Sequence, residues 1–107
     1  MLIVTIKFHV NFADRAINDT NNILSYYNQT YFNPQINNHF LDSIEAEIAI
    51  LSDSPFIQRV RLIRNKREIC CALFMGYLLC YEIDQTKNII NILRVFHQLE
   101  DYENKLI

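Results

Sequence analysis

The chain has 107 residues, half of them hydrophobic, with one glycine, two prolines and a formal net charge of −2. That length fits one domain, residues 1–107, with a core large enough to need no staples. The near-neutral balance argues against a surface that is basic all over, and the scarcity of glycine and proline against linkers or low-complexity tracts.

Leu2 to Val10 is rich in Ile and Val, is broken by Lys7 and His9, and precedes no small-residue cleavage site. It reads as a strand and not as a signal peptide. Ala13, Ala16, Ile17, Thr20, Leu24 and Tyr27 then recur on one face of a helix, with Asn11 or Asp14 placed to cap it. Tyr26, Tyr27, Tyr31 and Phe32 serve its packing and its end. After a polar break, Asn33-Pro34 starts a second helix. Phe40, Leu41, Ile44, Ile48 and Leu51 line its inner face, and Asp42, Glu45 and Glu47 its outer face. The short connection predicts a helical hairpin.

Ile57 to Lys66 is ambiguous, alternating like a strand at first and ending like a loop. From Glu68 the chain is β. Strands over Ile69–Phe74, Tyr77–Ile83 and Ile89–Phe96 are separated by turns at Met75-Gly76 and Asp84–Asn88. The fold class is α+β: an N-terminal strand, then an α-helical hairpin packed on an antiparallel β-sheet. Leu24, Phe40, Ile44, Ile48, Leu79, Tyr81, Ile90 and Ile92 are the expected core. No apolar run is long enough to span a bilayer, which points to a soluble, cytoplasmic protein with no membrane partner.

Cys70, Cys71 and Cys80 make an odd set. Adjacent Cys70 and Cys71 point to opposite faces of a strand, which suits neither a bridge nor a chelate. They read as small buried hydrophobes in a reducing compartment. No Cys/His spacing suggests a metal, and no cofactor is expected. Five of the ten basic residues, Arg59, Arg61, Arg64, Lys66 and Arg67, fall within nine positions. This cluster suits a phosphate backbone, an acidic protein segment or a solvated loop.

The late strands carry a resemblance. Tyr77-Leu78-Leu79-Cys80-Tyr81-Glu82-Ile83-Asp84 is followed by a turn. Ile92-Leu93-Arg94-Val95-Phe96-His97 then leads to Asp101-Tyr102. With the helical pattern from Ala13 to Pro55, this resembles the RelE/ParE superfamily of toxins from bacterial type II toxin–antitoxin systems. The resemblance implies a cognate antitoxin as partner and a toxin–antitoxin hetero-oligomer. It implies one of two activities: ParE-like members poison DNA gyrase and are not enzymes, whereas RelE-like members cleave mRNA on the ribosome.

RNA cleavage needs cations for the charged transition state and groups that move protons. RelE-like enzymes place basic residues on the strand before the Gly-Tyr turn, and an Arg after that Tyr. Here that strand is Ile69 to Phe74, and Leu78 follows Gly76-Tyr77. The ParE-like reading, a gyrase poison, is therefore preferred. The alternative is an endoribonuclease using Arg94 as phosphate clamp and His97 as acid/base, with Tyr102 nearby. A chain with neither activity is a third reading. As target-binding residues, the basic cluster and Arg94 are the candidates. In a purely structural role, Arg94 would pair with Asp101 or Glu100, and His97 would make a strand-end hydrogen bond.

Overall fold

A computed structural model describes residues 7–31 and 33–98. The elements are β1 (His9–Phe12), α1 (Asp14–Tyr31), α2 (Pro34–Asp53), β2 (Val60–Arg64), β3 (Arg67–Phe74), β4 (Tyr77–Asp84) and β5 (Ile89–His97). They form one sheet in the order β1-β5-β4-β3-β2, with both helices packed against it.

β3, β4 and β5 are the expected antiparallel meander, β2 extends it by a fourth strand, and β1 lies parallel to β5, with His9 opposite Ile89 and Phe12 opposite Ile92. An α-helical crossover ordinarily joins parallel strands. β1 also starts later than expected, and the six residues before Lys7 lie outside those described. Phe8 ties its entry to the end of α2. Its N–H donates to the Ser52 carbonyl at 3.0 Å, and Ser52 Oγ donates to the Phe8 carbonyl at 2.7 Å.

Helix starts follow local rules. Asn33 Oδ1 accepts the Gln35 N–H at 3.0 Å ahead of Pro34, which costs no hydrogen bond at the first helical position. Asn11 is part of β1, while Asp14 sits in the first turn of α1, where its charge complements the helix dipole. Asn37 donates to Asn28 and the Tyr27 and Phe40 rings meet edge-on, so the two helices touch near their connection.

The ambiguous stretch contains β2. Asn65 and Lys66, both at positive φ (51° and 66°), make the two-residue turn into β3. Met75 and Gly76 (48° and 78°) make the next. Positive φ at both central residues is the turn whose twist suits a tight hairpin.

Between helices and sheet, Ala16, Phe40, Ile44 and Leu51 meet Cys70, Ala72, Phe74, Leu79, Tyr81, Ile90 and Ile92. The expected core residues are buried there, with Leu24 and Ile48 partly so. Ile17 and Leu41 are exposed, because each lies one residue beyond the inner stripe centred on Ala16 and Phe40. Glu47 is half-buried, near enough to Tyr81 to act on its phenol, and burial raises its carboxyl pKa. A second cluster, Ile69, Cys71, Leu78, Cys80 and Phe96, is buried on the opposite sheet face. Strands apolar on both faces explain the nearly continuous hydrophobic runs of β3 and β4.

Candidate functional site

β1 covers the edge of β5 only as far as Ile92. Beyond that point α1 takes over. Ala13 N–H donates to the Ile92 carbonyl at 2.8 Å, and the carboxylate of Asp19 accepts the Val95 N–H at 3.0 Å. A register shift assists: Cys80 faces Arg94 and Tyr81 faces Ile92, so Leu93 is an extra residue on β5. Such a bulge re-aims the strand.

Asp19 also holds Arg94 with two bonds, at 2.7 Å from Nε and 2.9 Å from Nη2. Their side chains are only 15% and 14% exposed, so this is a charge-assisted pair largely withdrawn from water. The Arg94 guanidinium also lies 4.5 Å from the centre of the Phe96 ring, a cation–π distance. Arg94 thus has a partner in Asp19, 75 positions earlier. Asp101 and Glu100 lie outside the described residues, as does Tyr102.

A groove of about 540 Å³ opens beside this pair, walled by Asn22, Ile23 and Tyr26 of α1, Tyr77 of β4 and His97 of β5. The His97 ring meets Tyr77 edge-on at 5.6 Å. Tyr77 shares a 2.6 Å hydrogen bond with the hydroxyl of Tyr27, and burial with that bond pushes its pKa up. The Tyr77 phenol is therefore held neutral and is a poor base. Tyr27 packs on Phe40 as expected, while Tyr26 and Tyr31 are exposed. Phe32 lies outside the described residues.

The structure does not bring the basic cluster to this groove. Arg61 and Arg64 lie on β2, at the opposite edge of the sheet, with Arg59 before it and Lys66 in the turn after it. Arg59, Arg61 and Lys66 are exposed, and Arg64 is half-buried. Arg67 opens β3 and grips Glu82 through Nε at 2.7 Å, and that hydrogen bond raises the guanidinium pKa. Around this pair is a smaller hollow of about 330 Å³. Among the described residues no three His, Cys, Asp or Glu side chains gather as metal ligands. No helix there is long and apolar enough to cross a membrane.

Sequence reasoning missed Asp19. Its signal is its place three residues after buried Ala16 and four before Ile23, a carboxylate beside the inner stripe of a helix.

A sequence model of the ParE toxin of the type II toxin–antitoxin system parDE matches residues 10–102. The chain belongs to this family. The ParE-family fold also appears in two solved complexes. One is the toxin–antitoxin complex RelBE2 from Mycobacterium tuberculosis, at 24% identity and a TM-score of 0.63, over 91% of this chain and 98% of that one. The other is the chromosomal ParDE system from P. aeruginosa, at 13% identity and a TM-score of 0.68, over 85% of this chain and 96% of that one. No curated protein matches in sequence. The chain is thus a type II toxin of the RelE/ParE superfamily.

Proposed function

We propose that this toxin acts in the ParE-like manner, by binding and inhibiting DNA gyrase, and that a cognate antitoxin neutralises it. The observation that carries this reading is the commitment of Arg94 to Asp19. Cleaving RNA would need a cation presented to the scissile phosphate. Among the described residues lining the groove, Arg94 is the one arginine or lysine, and its charge is already matched by a carboxylate. β3 supplies no cation beyond Arg67, itself bound to Glu82, and Tyr77 is held neutral. A protein that acts by binding alone needs none of these groups to be chemically available. The ParE model match over 10–102 supports the same branch.

The surface at the β2 edge supports protein partners. Phe56, Ile57, Val60 and Ile63 are exposed there beside Arg59, Arg61 and Lys66. Apolar area mixed with cations suits an acidic, extended antitoxin segment that adds to the open strand. The two similar structures are toxin–antitoxin complexes, in keeping with such a partner.

The test compares gyrase supercoiling with cleavage of ribosome-bound mRNA, for the wild type and for His97→Gln. We expect the wild type to inhibit supercoiling and leave mRNA intact, and the variant to retain most of that inhibition. Cleavage by the wild type that drops about 10²–10⁴-fold in the variant, with supercoiling untouched, would overturn the proposal.

A further inference from the structure

On the sheet face turned away from the helices, β3 and β4 bring two thiols together. Cys71 and Cys80 are direct partners in register, with their sulfurs 3.4 Å apart. The pair can be placed by counting back from the Met75-Gly76 turn. Phe74 and Tyr77 flank a two-residue turn and form a hydrogen-bonded pair, and the two kinds of pair alternate along the ladder. Cys71–Cys80 therefore occupies a non-hydrogen-bonded position, where Cα atoms approach to about 4.5 Å. That distance lies at the short end of the roughly 4.4–6.8 Å a disulfide spans.

The two thiols are electrostatically unlike. The Cys71 pKa is lowered by the hydrogen bond from Cys80, against the effect of burial, with the positive charge of Arg61 assisting. Cys80 is raised because it donates that bond and is fully buried, with Arg94 opposing. Cys70, by contrast, faces the helices in the main core, and burial raises its pKa.

We propose that Cys71 and Cys80 are an oxidative modification site, a cross-strand dithiol that hydrogen peroxide converts to an intramolecular disulfide. The Cys71 thiolate attacks one peroxide oxygen. An S–O bond forms, the O–O bond breaks, and the leaving hydroxide takes up a proton, giving a sulfenic acid and water. The Cys80 sulfur then attacks the Cys71 sulfur, its proton passes to the departing hydroxyl, and a second water leaves. Two thiols and one peroxide thus yield one disulfide and two waters. Cys71, the less buried of the two, meets the oxidant first. A dithiol reductant reverses the change by thiol–disulfide exchange.

The experiment uses the full chain, folded by circular dichroism, exposed to hydrogen peroxide and then denatured in an alkylating reagent. We expect two of its three thiols to be lost to alkylation, a peptide map linking Cys71 to Cys80, and recovery of both thiols with dithiothreitol. Cys70→Ser should behave like the wild type, and Cys71→Ser should form no intramolecular bridge. The wild-type map decides the question alone, so the test stands even if a variant fails to fold. A bridge that uses Cys70, a bridge between chains, or a bridge formed only after unfolding would each overturn the proposal. So would three intact thiols after oxidation of the folded chain.

Discussion

Removing the carboxylate of Asp19 tests how α1 is fastened to β5. In Asp19→Ala, Arg94 loses both its hydrogen bonds to the carboxylate, and the Val95 N–H loses its acceptor. Hydrogen bonds to charged groups contribute about 1.5–3 kcal/mol, and breaking a fully buried ion pair costs about 3–5 kcal/mol. Both partners keep about one-seventh of their side-chain exposure, so solvent screening reduces the cost. We expect a loss of about 2–4 kcal/mol, a large share of the roughly 5–15 kcal/mol that holds a domain together. In urea, with a slope of about 2 kcal/mol/M, the midpoint should fall by about 1–2 M with the slope unchanged. A double-mutant cycle with Arg94→Ala should give a coupling above about 1 kcal/mol. A midpoint shift under about 0.3 M would mean that the pair behaves like an exposed one, and the account of the groove's anchoring would fail.

Leu79→Ala, at a fully buried site in the middle of β4, should cost about 2–5 kcal/mol in the same unfolding assay; Ile44→Ala, on α2, should fall in that range too. A cost below about 1 kcal/mol would contradict the helix-on-sheet core. Glu47→Gln should stabilise the protein. Burial raises the Glu47 pKa, so the charged form is disfavoured in the fold and the wild type loses stability as pH rises through that value. The variant should melt higher than the wild type at neutral pH, with the gap closing near about pH 4, and an equal or wider gap in acid would refute this.

Much of the architecture was legible because its signals are local. The 3.6-residue spacing from Ala16 to Tyr27, the Asn33-Pro34 start and the Met75-Gly76 turn each act over a few residues. What was not legible depends on register. The parallel placement of β1 depends on how the helical crossover returns the chain to the sheet. The Asp19 partner of Arg94 lies 75 positions away, a distance over which sequence spacing carries no signal. Cys71 and Cys80 look unrelated until hairpin pairing places them face to face. Glu47 reads as an outer-face residue by its charge, yet it lies three residues after Ile44 and four before Leu51, on the inner stripe and near Tyr81. The cluster from Arg59 to Arg67 reads as one patch, yet β2, a tight turn and the Glu82 carboxylate divide it among different tasks.

The parallel β1–β5 pair has a kinetic consequence. The β2–β5 meander closes through short turns, and hairpins of that kind form within about 1–10 μs. His9 meets Ile89 only after closing some eighty positions of chain, which costs about 3 kcal/mol more loop entropy than a two-residue turn. β1 is also the shortest strand, with four residues and no buried one. It should be the last strand to dock and the first to peel away, leaving the N-terminal half of β5 as an open edge. Hydrogen exchange can test this ordering. β1 amides should exchange well before those of Leu79 and Tyr81, and equal protection would contradict it. A sheet built this way holds its second edge in reserve, closed by the chain's own strand and available to another whenever that strand lifts.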